Sequence, residues 1–206
     1  RDVVASRGLE MCIRDSVEAV DAMVCGPPED ASTQIGALIS LEHLEKVESY
    51  IKLGVEEGGT ILTGGTREMT GHVTAANHGA FLRPTIIDGL HHTSRTSTEE
   101  IFGPVVTVHR FDSDEQAIEM ANSTAYGLAG SIWSTNIDRA HGLAQQIETG
   151  IIWVNTWLHR DLRTPFGGVK NSGVGREGGN WSLGFFSEPP VSYTRLRAHE
   201  TLQHLV

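Results

Sequence analysis

Thr98-Glu99-Glu100-Ile101-Phe102-Gly103-Pro104-Val105-Val106-Thr107-Val108 is the stretch from which the fold is read. Its last four residues form an apolar run after a Gly-Pro corner, and such a run reads as a buried strand. The corner makes that strand a rigid base from which Glu100 and Phe102, two residues apart, can point into one crevice. Spacing alone leaves a second reading open, a strand-edge glutamate beside a core phenylalanine.

Downstream, Ser113-Asp114-Glu115-Gln116 is a capping box, and Ala117, Ile118 and Ala121 make the buried stripe of the helix that it starts. Tyr126 to Ser134 reads as a turn and a strand. Ile137, Ala140, Leu143, Ala144 and Ile147 then mark an amphipathic helix closed by Gly150. Ile151-Ile152-Trp153-Val154-Asn155 is a strand that is apolar almost throughout. Upstream, Ser40 caps a helix with apolar positions Leu41, Leu44, Val47, Ile51 and Val55, ended by Gly58-Gly59. Thr60 to Thr63 is a short strand, residues 66–80 a polar surface excursion, and Phe81 to Ile87 a strand that Pro84 confines to an edge or bulge. Continuous apolar strands alternating with helices predict an α/β fold, a mostly parallel sheet flanked by helices on both faces.

The 206 residues, 39% hydrophobic and 20% charged, suit one globular core or part of a larger one. A net charge of -10 without clustered Lys and Arg excludes a non-specific nucleic-acid binder. No window approaches the roughly 20 apolar residues of a membrane-spanning helix, and no signal-peptide core is visible, so a cytoplasmic protein is expected. Cys12 and Cys25 imply neither a zinc framework nor a disulfide scaffold.

The glycine-rich run Gly173-Val174-Gly175-Arg176-Glu177-Gly178 matches G-x-G-x-x-G by letter. It lacks a preceding strand and a clear following helix, so a tight loop is expected rather than a phosphate-binding turn. His91-His92 has no carboxylate or cysteine at metal-ligand spacing, and no metal site is expected. Arg160 and Arg163 flank Asp161 in a loop that also carries Trp157, Leu158 and Leu162. Two guanidiniums beside apolar residues could grip a substrate carboxylate bidentately, or could simply pair with Asp161 and nearby surface.

Taken in order, Glu99-Glu100-Ile101-Phe102-Gly103-Pro104, Asn122 to Leu128, Gly150 to Asn155, Pro165-Phe166-Gly167-Gly168 and Lys170 to Glu177 resemble the NAD(P)-dependent aldehyde dehydrogenase superfamily over residues 17–188. The run Trp157 to Gly168 is similar to the 2-aminomuconic and 2-hydroxymuconic semialdehyde dehydrogenase branch. That resemblance implies NAD (NADP remaining open), a small aldehyde substrate with a distal carboxylate, and a homo-oligomeric parent enzyme. It implies that Glu100 hydrogen-bonds the nicotinamide ribose, that Phe102 packs beside the nicotinamide ring, and that Phe166 lines the aldehyde tunnel. Arg160 is its first choice and Arg163 its second for the carboxylate clamp, with Glu99 structural. Betaine-aldehyde or succinic-semialdehyde dehydrogenases, and a non-catalytic assembly module, are the alternatives.

In that family a cysteine thiolate attacks the aldehyde to give a thiohemiacetal, and hydride then passes to NAD. No Gly-Gln pair precedes a cysteine here, so no catalytic residue is assigned; Cys25 occupies an apolar position of the family pattern and reads as a buried small hydrophobe. The expectation is a C-terminal portion of such an enzyme, inactive alone, with 17–188 as the catalytic segment. Residues 1–16, which show neither helical nor strand period, and 189–206, which stand where an oligomerisation strand is expected, are read as non-native tails.

Overall fold

In the computed structural model, which describes residues 2–68 and 79–193, the chain divides into two units, Arg1–Ala125 and Tyr126–Val206. Most of the expected excursion at 66–80 and the end of the C-terminal tail lie outside the described residues.

The described residues of the first unit form three strands, β1 (Thr60–Thr63), β2 (Thr85–Asp88) and β3 (Val105–Val108), side by side in that order. β2 and β3 run parallel with Thr85 opposite Val105, whereas β1 joins β2 antiparallel with an irregularity between Ile61 and Thr63. Pro84 stands just before β2. It has no N–H for a ladder, so the strand starts at Thr85 and the expected strand over 81–87 is shortened. β3 is an edge strand, and Val106 is exposed, which corrects the reading of 105–108 as buried.

Helix α1 (Asp2–Asp21) contradicts the reading of 1–16 as aperiodic. Ile13, Val17, Val20 and Met23 fall three to four apart and are half-buried, so the stripe begins a turn before Val17. Once that stripe has nucleated a helix, extension adds one hydrogen bond per residue fixed, without a second nucleation cost. Helix α2 (Leu41–Glu56) starts where Ser40 Oγ accepts the His43 N–H at 3.0 Å. Its Leu44, Val47 and Ile51 form the core with Ala80, Leu82 and Ile101. Leu41 and Val55, expected in the same stripe, are exposed in the helix's first and last turns. The one-turn helix α3 (Arg95–Thr98) is capped from afar: the Glu57 carboxylate accepts the N–H groups of Arg95 and Thr96 at 2.8 and 3.1 Å. Helix α4 (Asp114–Asn122) has the expected cap at Ser113, but the Gln116 side chain reaches one residue further back, to the Asp112 N–H at 2.7 Å. None of α4 is buried, so its expected stripe is at most half-covered.

The second unit is built on a βαβ turn: β5 (Ala129–Ile132), helix α5 (Ile137–Ala144) and β6 (Ile151–Val154), the two strands parallel. Asn155 ends β6 at φ 54°, with its side-chain amide bonded both ways to the Ser134 backbone. β4 (Tyr126–Gly127) pairs antiparallel with β7 (Val169–Lys170). The parallel pairs each align four residue pairs and the antiparallel ones three and two, so the α/β class with mainly parallel pairing holds. Gly150 is required by close approach, because a Cβ there would run into the Gly167 carbonyl oxygen. Helix α6 (Gly179–Phe186) follows the glycine run, where no clear helix was expected. The strand before the run is two residues long and antiparallel, so a Rossmann turn is still not formed. No helix among the described residues is long and apolar enough to cross a membrane.

Candidate functional site

In the first unit the Glu99–Gly103 strap lies along one face of α2. His43, Lys46, Val47 and Tyr50, at spacings of three, four and seven, project on that side. They meet the strap in reverse order. The His43 ring nitrogen Nε2 is 2.6 Å from the Phe102 carbonyl oxygen, Lys46 Nζ donates to the Glu100 carbonyl at 3.4 Å, and Tyr50 Oη donates to Glu99 Oε2 at 2.7 Å. Seven residues of helix rise about 10.5 Å, and three residues of extended chain span about 10 Å, so the two elements keep step. Gly103 completes the contact: a Cβ there would stand 2.8 Å from both methyls of the buried Val47.

The two adjacent carboxylates have different surroundings. Arg95 grips Glu99 through Nε and Nη2 at 2.7 and 3.0 Å while Tyr50 donates to the same group, and these bonds hold the Glu99 carboxyl at about 2, below the usual range. Glu99 is therefore committed to the scaffold, as expected. The Glu100 carboxylate is exposed and makes no hydrogen bond or ion pair with any described residue. Phe102 is 73% exposed, which rules out the core-phenylalanine reading. Its φ of 59° is left-handed, a state that costs a bulky residue about 1–3 kcal/mol. The strap thus presents a strained, exposed ring and, two residues before it, an open carboxylate, on a backbone pinned from one helix.

The second unit holds the other expected residues. Arg160 lies over the Phe166 ring, 4.1 Å from its centroid, and Nη2 donates to Glu177 Oε1 at 2.6 Å. Phe166 and Glu177 exchange backbone hydrogen bonds at 2.8 Å, so one short antiparallel bridge carries both partners of Arg160. Arg176 Nη1 donates to the carbonyls of Gly168 and Gly175 and fixes the loop around them. Phe166, Gly168, Val174, Phe185 and Phe186 line an open groove of about 380 Å3 beside this cluster. Arg163 is paired with Asp161 within its own turn, which holds the Asp161 carboxyl below its ordinary value. Leu158 and Leu162 are exposed and do not form the apolar mouth expected around the arginines; the apolar contact of Arg160 is with the Phe166 ring.

Neither cysteine resembles an activated nucleophile. Cys25 is buried, its Sγ pointing at the Leu82 carbonyl oxygen at 3.7 Å, and burial pushes its thiol up. Cys12 is exposed on α1. His91 and His92 stack on one another, and no described His, Cys, Asp and Glu side chains cluster to hold a metal. Sequence reasoning missed His43, Lys46, Tyr50 and Glu177. No local signal marks them, because each acts across 17 to 59 residues of chain.

The aldehyde dehydrogenase family profile matches residues 1–191. Over 169 residues the chain is 52% identical to 2-hydroxymuconic semialdehyde dehydrogenase of Pseudomonas putida, covering 82% of this chain and 34% of that protein. It is 46% identical over 172 residues to 2-aminomuconic semialdehyde dehydrogenase of Homo sapiens, covering 84% of this chain and 35% of that one. The chain thus spans about a third of the length of the curated relatives it matches. Among solved structures, HpcC from Thermus thermophilus superposes with a TM-score of 0.84 at 36% identity, covering 93% of this chain and 39% of that chain. Betaine aldehyde dehydrogenase from Staphylococcus aureus in complex with NAD+ gives 0.78 at 38% identity, covering 82% and 33%. With the profile extending over nearly its whole length, this chain belongs to the aldehyde dehydrogenase family.

Proposed function

We propose that residues 17–188 supply the nicotinamide-side strap and the substrate-side loop of an NAD-dependent dehydrogenase that oxidises a muconic-type semialdehyde to its acid. One observation carries this reading: of two neighbouring carboxylates, Glu99 is saturated by Arg95 and Tyr50, while Glu100 stands open beside the exposed Phe102 ring. An open carboxylate accepts from two vicinal hydroxyls, and an aromatic face packs against a planar ring, so the pair fits a nicotinamide riboside. The bound dinucleotide supplies the hydride acceptor. Glu100 and Phe102 orient that end of it, and Arg160, stacked on Phe166, receives the distal carboxylate of the aldehyde. The thiolate for thiohemiacetal formation is not assigned to Cys12 or Cys25.

The relatives that carry muconic semialdehyde names support this substrate class, whereas the betaine aldehyde dehydrogenase fold match supports a second reading with a cationic substrate, consistent with the carboxylate of Glu177 beside Arg160. A hybrid separates them. Residues 17–188 replace the matching segment of the Pseudomonas putida relative, and kcat/KM is measured with NAD for 2-hydroxymuconic semialdehyde, betaine aldehyde and a neutral aldehyde. Arg160→Ala is expected to raise KM for the acidic substrate by about tenfold or more and to leave the neutral one nearly unchanged. Equal effects on both, or a preference for betaine aldehyde, would overturn the muconic reading. The division at residues 17 and 188 is part of the same proposal, although the family profile reaches across 1–16; a continuous genomic read through both junctions would refute it.

A further inference from the structure

The Phe102 ring is presented by a backbone state that its own side chain resists. Phe102 keeps φ 59° while Ile101 before it is buried in the core and Gly103 after it sits against Val47, so residue 102 is the turning point of the strap. The carbonyl of this left-handed residue faces α2, where His43 Nε2 meets it at 2.6 Å. A carbonyl oxygen only accepts, so Nε2 carries the proton, in the neutral tautomer and in the imidazolium alike. The His43 ring also meets the Phe102 ring edge-on, with centroids 6.0 Å apart and planes at 71°. His43 is itself delivered from a fixed place, since its backbone N–H is the one capped by Ser40.

We infer that His43 is a positioning residue that locks Phe102 in the left-handed backbone state and so aims its ring and the neighbouring Glu100 at the nicotinamide end of the cofactor; this rests on the reading of Glu100 and Phe102 given above. His43 acts through the Phe102 carbonyl and touches none of the reacting atoms. Two arms test it. In crystal structures of the 206-residue chain, His43→Ala is expected to return Phe102 to negative φ, while His43→Gln, whose side-chain amide also donates, keeps φ positive. A positive φ in both variants overturns the lock. In the hybrid enzyme, His43→Ala is expected to raise KM for NAD about fivefold to tenfold with the aldehyde KM unchanged, and His43→Gln to restore it. Glu100→Ala serves as the reference. If it raises KM for NAD while His43→Ala does not, the positioning role is overturned and the reading of the strap stands. If neither variant moves KM for NAD, that reading fails, and the inference with it.

Discussion

Gly103→Ala tests the contact on which the strap depends. The added methyl would stand 2.8 Å from both Cγ atoms of Val47, a residue with no exposed surface on a helix anchored by Leu44 and Ile51. Neither side can yield without shifting α2 or the strap, and overpacking of this kind costs about 1–3 kcal/mol. Removing a glycine also reduces the entropy of the unfolded chain, which offsets roughly 0.4–1 kcal/mol. A net loss of roughly 1–2 kcal/mol is expected, or a urea midpoint lower by about 0.5–1 M at a slope of about 2 kcal/mol/M. Val47→Ala alone removes two buried methyls and costs about 2 kcal/mol. It also removes the atoms that clash. Adding Gly103→Ala to Val47→Ala should therefore cost almost nothing, a coupling of at least about 1 kcal/mol. The probe is hydrogen exchange of the Leu44–Ile51 amides under increasing urea, because Trp133, Trp153, Trp157 and Trp181 all belong to the second unit and their emission does not report on α2. Additive effects, or a neutral Gly103→Ala, would refute the claim that the helix and strap are in hard contact at this point.

Two further expectations follow from other parts of the first unit. Arg110 grips Asp88 with both terminal nitrogens at 2.7 and 2.8 Å while Gly89 N–H donates at 2.8 Å, and these bonds hold the Asp88 carboxyl below its ordinary value. A depressed carboxyl stabilises the fold above its unfolded pKa of about 3.9 and loses that contribution as pH falls below it; Asp88→Asn should cost about 1–2 kcal/mol at pH 7 in urea unfolding and flatten the acid limb below about pH 4. An unchanged acid limb would exclude the pair as its source. With a thiol reagent at neutral pH, exposed Cys12 should react at once and Cys25 only at the rate of unfolding, and two fast thiols would contradict the burial of Cys25.

The parts of the fold that were legible in the sequence are those that a few neighbouring residues determine. Ser40 and Ser113 cap their helices through hydroxyls that reach three residues ahead, so spacing alone located both starts. Pro84 and the Gly103-Pro104 corner bounded β2 and β3 because a missing N–H acts locally. Burial was less legible. Val106 looks like a core residue until β3 is known to be an edge, and Leu41 and Val55 until they are found exposed in the first and last turns of α2. The end of α1 was legible at Val17 and Val20, but its part before Val17 was missed because a search for a long stripe discounts the single turn at Ile13 that extends an existing one.

The candidate site shows the same division more sharply. Glu100 and Phe102 were found because they are close neighbours in sequence, but the groups that set their geometry are far from them in sequence. On α2, periodicity identifies Leu44, Val47 and Ile51 as apolar positions and passes over His43, Lys46 and Tyr50, which share nearly the same face. Those polar residues look like an ordinary solvated margin of an amphipathic helix. Their role appears only once the strap is laid beside them, because the match is between a helical rise of about 1.5 Å per residue and an extended one of about 3.3 Å. That is a property of two segments packed together, and neither segment encodes it alone. The same argument covers Arg160. Its neighbour Asp161 suggested a local pair, yet it is Arg163 that takes Asp161, leaving Arg160 to reach Glu177 and Phe166 through a backbone bridge that brings residues 166 and 177 side by side. Sequence therefore nominates the groups that can touch a ligand, and the packed structure determines what each of them meets: Arg95 and Tyr50 take Glu99 and leave Glu100 open, while Asp161 takes Arg163 and the Glu177 carboxylate and Phe166 ring hold Arg160.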